Sequence, residues 1–266
     1  MDEPDESGLP ASIEAAWGLR ERPTKGPKPA LSIARIVQAA VKVAAAHGLA
    51  AVSMKRIATE LGASTMSLYR YISSKDDLLA LMVDAAVGVP PSAAAGEDWR
   101  AGLSRWAWGY HDALRRHTWA LGVPIAGPPV TPNQTAWIED GLTSLRETAL
   151  LENEKLSVIL LLSGYVRNEA TLTADIGAAL AASGAPEREI MPGWADLLRR
   201  LTDADGHPAL HRALAAGAFD RDDDPDDEFI FGLQRVLDGV DALVRARANK
   251  RPDRRPTSKQ HQQPGS

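Results

Sequence analysis

The sequence has no cysteine, only three phenylalanines and no long apolar run, and these absences narrow what the protein can be. Without cysteine the chain forms no disulfide and offers neither a thiolate nucleophile nor a cysteine-bound zinc site. No apolar stretch approaches the roughly 20 residues that a membrane-spanning helix needs. The N-terminus, MDEPDESGLP, is acidic where a secretion signal is basic and then apolar. We therefore expect a cytoplasmic protein with no membrane partner.

The signatures of common enzymes are also missing. The sequence carries no phosphate-binding loop, dinucleotide fingerprint, zinc-protease helix or nucleophile elbow, and no Ser-His-acid set in a motif context. His207 and His211 stand four residues apart, but Pro208 lies between them and no third metal ligand is assured. The acidic stretch 220–231 lacks the glycine and the final glutamate of a calcium loop. We predict that the chain is not an enzyme and that it holds no cofactor and no metal.

The charge is distributed unevenly along the chain. The net charge is −5, which taken alone argues against a nucleic-acid partner. Residues 20–75, however, hold ten Lys or Arg against two acidic residues, a net of +8, whereas residues 1–19 hold five acidic residues and no basic one. One end of the molecule therefore attracts polyanions while the remainder repels them, an asymmetry that indicates a nucleic-acid interaction.

Apolar positions recur at helical spacing over most of the chain, and no stretch alternates as a strand does. Ser32, Ser53 and Ser74 stand at the N-cap positions of three predicted helices, and Gly62 ends the second of them. A very short helix is predicted from about Ser64 to Tyr71. Further helices are predicted along the rest of the chain, including a long one at 154–182 and a last one from Phe229 to Arg247. We predict an all-α fold.

The pattern divides the chain into four parts. Residues 1–31 read as a flexible basic arm, within which ASIEAAWGL could form a short helix, and residues 249–266 as a disordered tail. Residues 32–75 form a three-helix unit in which two short helices separated by GAS follow a longer one. This is the arrangement of a helix-turn-helix, whose second helix enters the DNA major groove. Residues 76–248 form a larger helical domain.

The stretch STMSLYRYISSK, residues 64–75, has the composition of a DNA-reading helix, because it is rich in hydroxyl groups and basic residues and has no carboxylate. Thr65, Met66, Ser67 and Arg70 fall on its outward face. Arg70 suits bidentate recognition of a guanine, and Met66 could touch a thymine methyl. The residues predicted to hold the flanking phosphates are Ser53, Lys55, Ser64, Tyr69, Tyr71 and Lys75. On spacing alone, a small helical hairpin with a solvated polar face is the alternative.

Residues 36–84 resemble the DNA-binding domain of the TetR family of bacterial repressors. The family signature of a hydroxyl residue, Leu, Tyr, any residue, an aromatic or His, Val or Ile and a closing Lys stands here as SLYRYISSK, residues 67–75. The rest of the chain resembles, more weakly, the all-helical C-terminal domain of tetracycline-repressor-like members. The resemblance implies that residues 76–248 dimerise through a four-helix bundle and hold a small-molecule effector, and that the homodimer binds double-stranded operator DNA.

The same resemblance suggests where the effector binds. Trp106, Tyr110, Trp119, Trp137 and Tyr165 fall on helices that line the pocket in the family, and flat aromatic walls suit a planar polycyclic ligand. For each of them ordinary core packing is the alternative. Arg167 and Asn168 are candidates for orienting a polar ligand group, or for the dimer interface. Tetracycline repressors hold a magnesium chelate through a histidine, and because Tyr165 stands at that place we expect no metal here.

The arm contains Arg20, Arg22, Lys25 and Lys28 between proline and glycine residues. Such an arm can lie in the minor groove next to the site read by the helix-turn-helix, and a solvated linker is the equal alternative.

Many family members in antibiotic-producing actinobacteria control a neighbouring efflux pump, and the Ala-rich and Arg-rich composition suits such a source. We therefore predict a ligand-responsive repressor of an antibiotic or drug efflux gene. A regulator of a metabolic gene and a helical interaction module that binds no DNA are the alternatives.

Overall fold

A computed structural model describes residues 9–19, 31–183, 190–219, 224 and 226–249. All the regular elements within these ranges are helical, which confirms the predicted fold class. The α-helices of the described ranges are α1 (Ala11–Ala16), α2 (Ile33–His47), α3 (Met54–Glu60), α4 (Thr65–Tyr69), α5 (Lys75–Val87), α6 (Trp99–Arg116), α7 (Pro132–Leu145), α8 (Glu152–Ser183), α9 (Ile190–Leu201), α10 (Pro208–Ala215) and α11 (Asp227–Asn249). Short 3₁₀ helices lie at Leu49–Ala51 and Thr118–Gly122. None of the described helices is both long and apolar enough to cross a bilayer.

The helix boundaries in the first third of the chain follow from local side chains. Ser32 accepts a hydrogen bond from the backbone N–H of Arg35 and begins α2. Ser53 and Ser74 cap α3 and α5 in the same way, so the three predicted N-caps are confirmed. Gly62 has a φ of 62°, a left-handed conformation that favours glycine, and it turns the chain from α3 into α4.

The described residues form two buried apolar cores. We call residues 31–87 the head and residues 88–249 the body. The head core gathers α2, α3 and α4 around fully buried residues such as Ile36, Ile57 and Leu68. The sequence division ended this unit at residue 75, but α5 buries Leu78 and Met82 in the same core.

The body core is formed mainly by α6, α7, α8 and α11. The longest of these helices, α8, has 32 residues and therefore extends about 48 Å. Its inner side packs Leu162 and Val166 into the core, and Tyr165 lies directly against Gly232 of α11, where a larger residue would collide with the tyrosine ring. A guanidinium between two carboxylates, Arg105 with Glu97 and Asp140, ties α7 to α6 and the residues before it.

Part of the predicted N-terminal arm forms a helix. The short helix that the sequence allowed is present as α1, and Ile13 is buried in the head core, so the interpretation of residues 1–31 as a flexible arm is wrong for this segment. The predicted minor-groove residues Arg20, Arg22, Lys25 and Lys28 lie outside the described residues, as does the tail from residue 250 onward.

Candidate functional site

The face of α4 carries the residues that the sequence predicts to read DNA. Leu68 and Ile72 are fully buried and fix this short helix on the head core. On the opposite side Met66 is 75% exposed and Tyr69 is 47% exposed, and Arg70 follows as an exposed residue. These three side chains project from one small surface, as a major-groove reader requires.

Several of the predicted phosphate contacts surround this surface. Ser53, Lys55, Ser64 and Lys75 are exposed, at the beginnings of α3, α4 and α5. Ser53 Oγ accepts from the backbone N–H of Arg56 at 3.2 Å. An N-cap hydroxyl that accepts in this way keeps its own hydrogen for a further acceptor such as a phosphate oxygen.

Three predicted contact residues are less open than the sequence suggested. Thr65, Ser67 and Tyr71 are half-buried. The ring of Tyr71 packs against the head core, and Ser67 Oγ lies 2.7 Å from Ser64 Oγ, so part of the function of these groups is to hold α4 together.

The body contains an aromatic group made of Trp106, Tyr110 and Trp137, three of the five aromatic residues that the resemblance assigns to the effector pocket. The ring of Trp137 stands edge-on to Trp106 at 5.5 Å between centroids and lies 5.4 Å from Tyr110. Trp106 Nε1 donates to the carbonyl of Trp137 at 2.7 Å. Burial raises the pKa of Tyr110, and the nearby guanidinium of Arg167 opposes that rise. The group therefore combines flat apolar walls with a neutral phenol and one cation.

Arg167 bridges this group to another element. Its Nη2 donates to the carbonyls of Leu121 and Val123, at 2.7 and 3.2 Å, at the end of the Thr118–Gly122 3₁₀ helix. That 3₁₀ helix inserts Trp119 into the head core rather than into the aromatic group.

The other two predicted ligand residues on α8 lie apart from the aromatic group. Asn168 is exposed on the outer side of the helix, so the structure does not bring it together with Arg167. Tyr165 faces α11, where its hydroxyl donates to the carbonyl of Phe229 at 2.8 Å. Burial, followed by the charge of Glu169, raises the pKa of Tyr165 to about 12.

The helix α5 joins the head to α7 at two places. Asp84 Oδ1 accepts from the backbone N–H groups of Asn133 and Gln134, at 2.9 and 3.0 Å, at the start of α7. Trp137 Nε1 donates to the carbonyl of Gly88, where α5 ends, at 2.8 Å. The sequence does not reveal this role of Asp84, because a helix cap supplied by another helix leaves no local pattern.

A buried histidine was also missed. His111 stacks on Phe229 with 4.1 Å between ring centroids, and Trp108 packs against both rings. Burial lowers the pKa of His111, and the charge of Arg115 adds to that effect. A single histidine on a helix gives no sequence signal that would distinguish it from a surface residue.

Comparison with known proteins shows that the domain with the exposed α4 surface and the domain with the aromatic group both match family models. Residues 36–82 match the model described as bacterial regulatory proteins, tetR family, and residues 91–244, more than half of the chain, match the tetracyclin repressor-like C-terminal domain. The chain belongs to the TetR family. The first match contains the whole helix-turn-helix, and the second contains the aromatic group.

Individual relatives agree with this assignment. The HTH-type transcriptional repressor DrrR1 of Streptomyces coeruleorubidus is 36% identical over 238 residues, which are 89% of this chain and 87% of DrrR1. The Streptomyces coelicolor TetR family protein ActR, solved in complex with actinorhodin, is 25% identical with a TM-score of 0.66 over 82% of this chain and 99% of ActR. BioQ with its double-stranded DNA operator shares the fold, at 19% identity and a TM-score of 0.54, over 80% of this chain and 99% of BioQ.

These relatives are regulators and not enzymes, which confirms that prediction. The chain is thus a bacterial regulatory protein with a TetR helix-turn-helix head and a tetracyclin repressor-like C-terminal domain as its body.

Proposed function

We propose that this TetR-family protein represses an antibiotic or drug efflux gene and leaves its operator when a planar aromatic compound binds the body. One observation carries the proposal: the donor-rich face of α4 and the aromatic group of the body are joined through the same helix, α5. DrrR1 is a transcriptional repressor, which supports repression rather than activation by this protein. The complex of ActR with actinorhodin supports a small-molecule effector. Because its target is DNA, the protein acts in the cytoplasm.

Operator recognition rests on α4 and its surroundings. Arg70 donates to a guanine, Met66 contacts a thymine methyl and Tyr69 holds a flanking phosphate. The hydroxyl and ammonium groups described above bind phosphates on both sides of this contact. The basic residues Arg20, Arg22, Lys25 and Lys28 add contacts in the adjacent minor groove. A deletion of residues 1–30 should then make the plot of log binding constant against log salt concentration less steep, by about 0.9 in slope for each lost phosphate contact.

Two copies of the chain place two heads on one operator. The outer side of α8 exposes a row of leucines, of which Leu160 is 73% and Leu172 is 51% exposed, and Phe231 on α11 is 60% exposed. Exposed apolar side chains on two long helices are unfavourable in water and suit a helix-bundle dimer. The dimer sets the two recognition helices about 34–36 Å apart, in successive major grooves.

The effector enters the aromatic group of the body. An aromatic ring can replace the edge-on contacts of Trp106 and Trp137, while the phenol of Tyr110 and the guanidinium of Arg167 meet its polar groups. This chemistry favours a planar compound that carries hydroxyl or carbonyl oxygens.

Effector binding reaches the head along two connections. A displaced Trp137 pulls on Gly88 and shifts α7, whose first N–H groups are held by Asp84 of α5. A reoriented Arg167 no longer donates to the carbonyls at the end of the Thr118–Gly122 3₁₀ helix. That helix can then shift, and the shift reaches the head because Trp119 of the same helix packs in the head core. The effector binds better to the arrangement in which the two heads are wrongly spaced, so operator affinity falls.

A mobility shift with the upstream intergenic DNA, followed by titration with actinorhodin and a panel of planar aromatic antibiotics, tests the proposal. We expect a sequence-specific shift that at least one aromatic compound reverses, and quenching of tryptophan fluorescence by the same compound. The variant Trp137→Leu should lose the response to that compound, while Trp194→Leu, on α9, should keep it. No shift with any upstream DNA would instead support a helical interaction module.

A further inference from the structure

The helix α1 lies outside both parts of the chain that match the family. The match to the DNA-binding domain begins at residue 36, whereas α1 spans Ala11–Ala16. Ile13 is nevertheless buried in the head core, in the same cluster as Leu68 and Ile72, which hold the recognition helix α4. Ser12 is also fully buried, and its Oγ lies 3.4 Å from Asp77 of α5.

The residue after α1 contacts the body. Trp17 Nε1 donates to the carbonyl of Val130 at 2.7 Å. Val130 lies in the loop between the Thr118–Gly122 3₁₀ helix and α7, one residue before the Thr131 that precedes α7. The segment of α1 and Trp17 thus packs into the head core through Ile13 and contacts a body loop through Trp17.

We propose that α1 and Trp17 form a strap that positions the head on the body and thereby sets which spacing of operator half-sites the dimer accepts. The inference rests on the proposed function, because spacing matters only to a protein that reads two half-sites. Ile13 and Trp17 are positioning residues, and neither needs to touch DNA.

The physical reason is the size of a spacing error. One added base pair shifts a half-site by about 3.4 Å and rotates it by roughly a tenth of a helical turn, so the heads must swing on the body to follow it. The strap resists this swing, since the swing separates Trp17 from Val130. One neutral hydrogen bond changes such an opening equilibrium by about five-fold.

The test uses the best operator obtained by selection from random duplexes, with two further operators whose half-sites are one base pair closer and one base pair farther apart. Two strap variants of the full-length dimer are compared with the wild type. Deletion of residues 1–19 removes the strap and keeps the basic segment 20–30, and Trp17→Phe removes only the indole N–H. Trp194→Phe is the control, since Trp194 is similarly exposed, at 45% against 42% for Trp17, and lies on α9.

We expect the wild type and Trp194→Phe to discriminate strongly against the two wrongly spaced operators. Trp17→Phe should reduce this discrimination by two- to about five-fold, with a melting temperature within about 4 °C of wild type. The salt dependence of binding should be unchanged, because the strap contributes no phosphate contact. The deletion should reduce it further. A strap that only stabilised the fold would weaken binding to all three operators by one factor.

The outcomes separate the inference from the proposed function. If the wild type discriminates between spacings and both strap variants discriminate equally well, the strap does not control half-site spacing. The proposal that the dimer binds two half-sites is then unaffected. If the wild type binds all three operators equally, that proposal is wrong and the strap fails with it. If the deletion variant does not fold, Trp17→Phe alone decides.

Discussion

The start of α7 offers a sharp test of how the head and the body are joined. Thr131 occupies the N-cap position, yet its side chain makes no cap hydrogen bond, and its hydroxyl is buried without a partner among the described residues. The carboxylate of Asp84, from α5, accepts from the first two free N–H groups instead. We predict that Asp84→Ala destabilises the protein strongly, whereas Thr131→Val does not.

The expected size follows from these contacts. Loss of a helix cap typically destabilises a protein by about 1 kcal/mol. Removing a partly buried charge at a helix N-terminus adds about 1 to 2 kcal/mol. Asp84→Ala should therefore lower the free energy of unfolding by about 2 to 3 kcal/mol. Asp84→Asn keeps an acceptor and loses the charge, so it should lower the free energy of unfolding by about 1 to 2 kcal/mol. Thr131→Val removes a buried hydroxyl without a partner and should be neutral or slightly stabilising.

Urea unfolding at one fixed protomer concentration measures these differences, because the stability of a dimer depends on concentration. The order Asp84→Ala, Asp84→Asn, Thr131→Val, from most to least destabilising, is the decisive result. Should Thr131→Val cost more than Asp84→Ala, α7 would be capped locally and the proposed connection through α5 would lose its first link.

Three further predictions concern other parts of the molecule. Burial lowers the pKa of His111 below its usual value near 6.5, so the unfolded chain takes up more protons and stability falls as the pH drops below that value. In His111→Phe the free energy of unfolding, measured by urea titration, should fall less steeply between pH 7 and 5. The difference in slope from wild type should be at most about 1.4 kcal/mol per pH unit. Leu160→Glu should shift the protein from dimer to monomer in sedimentation at micromolar concentration, whereas Ser157→Glu, another exposed α8 change, serves as the comparison. Arg167→Met should leave operator affinity within about three-fold of wild type but weaken release by the effector, measured by anisotropy.

The head could be predicted closely from the sequence because its boundaries depend on neighbouring residues. Ser32, Ser53 and Ser74 each cap a helix with an acceptor three residues before the N–H that it binds, and Gly62 adopts the conformation that only glycine favours. The inward positions of Leu68 and Ile72 follow from helical spacing. Whether the outward residues of α4 touch DNA remains a prediction.

The connections between elements could not be predicted in this way. The resemblance assigns Trp119 to the effector site, but a 3₁₀ helix carries it into the head core. Asn168 follows Arg167 in the chain, yet a helix turns successive residues by about 100°, and only one of them faces the aromatic group. Asp84 and Trp17 act on residues far away in sequence, and such contacts leave no periodic pattern.

The most direct test of the central claim, that α4 reads the operator, is the affinity of Tyr69→Ala/Arg70→Ala for a selected duplex and for a scrambled one, at physiological ionic strength. Arg116→Ala, which removes an exposed charge from the body, is measured beside it. A bidentate contact to a base contributes about 1 to 3 kcal/mol, so we expect the double variant to lose at least about five-fold of its preference for the selected duplex. Arg116→Ala should keep that preference. An unchanged preference in the double variant would contradict the account.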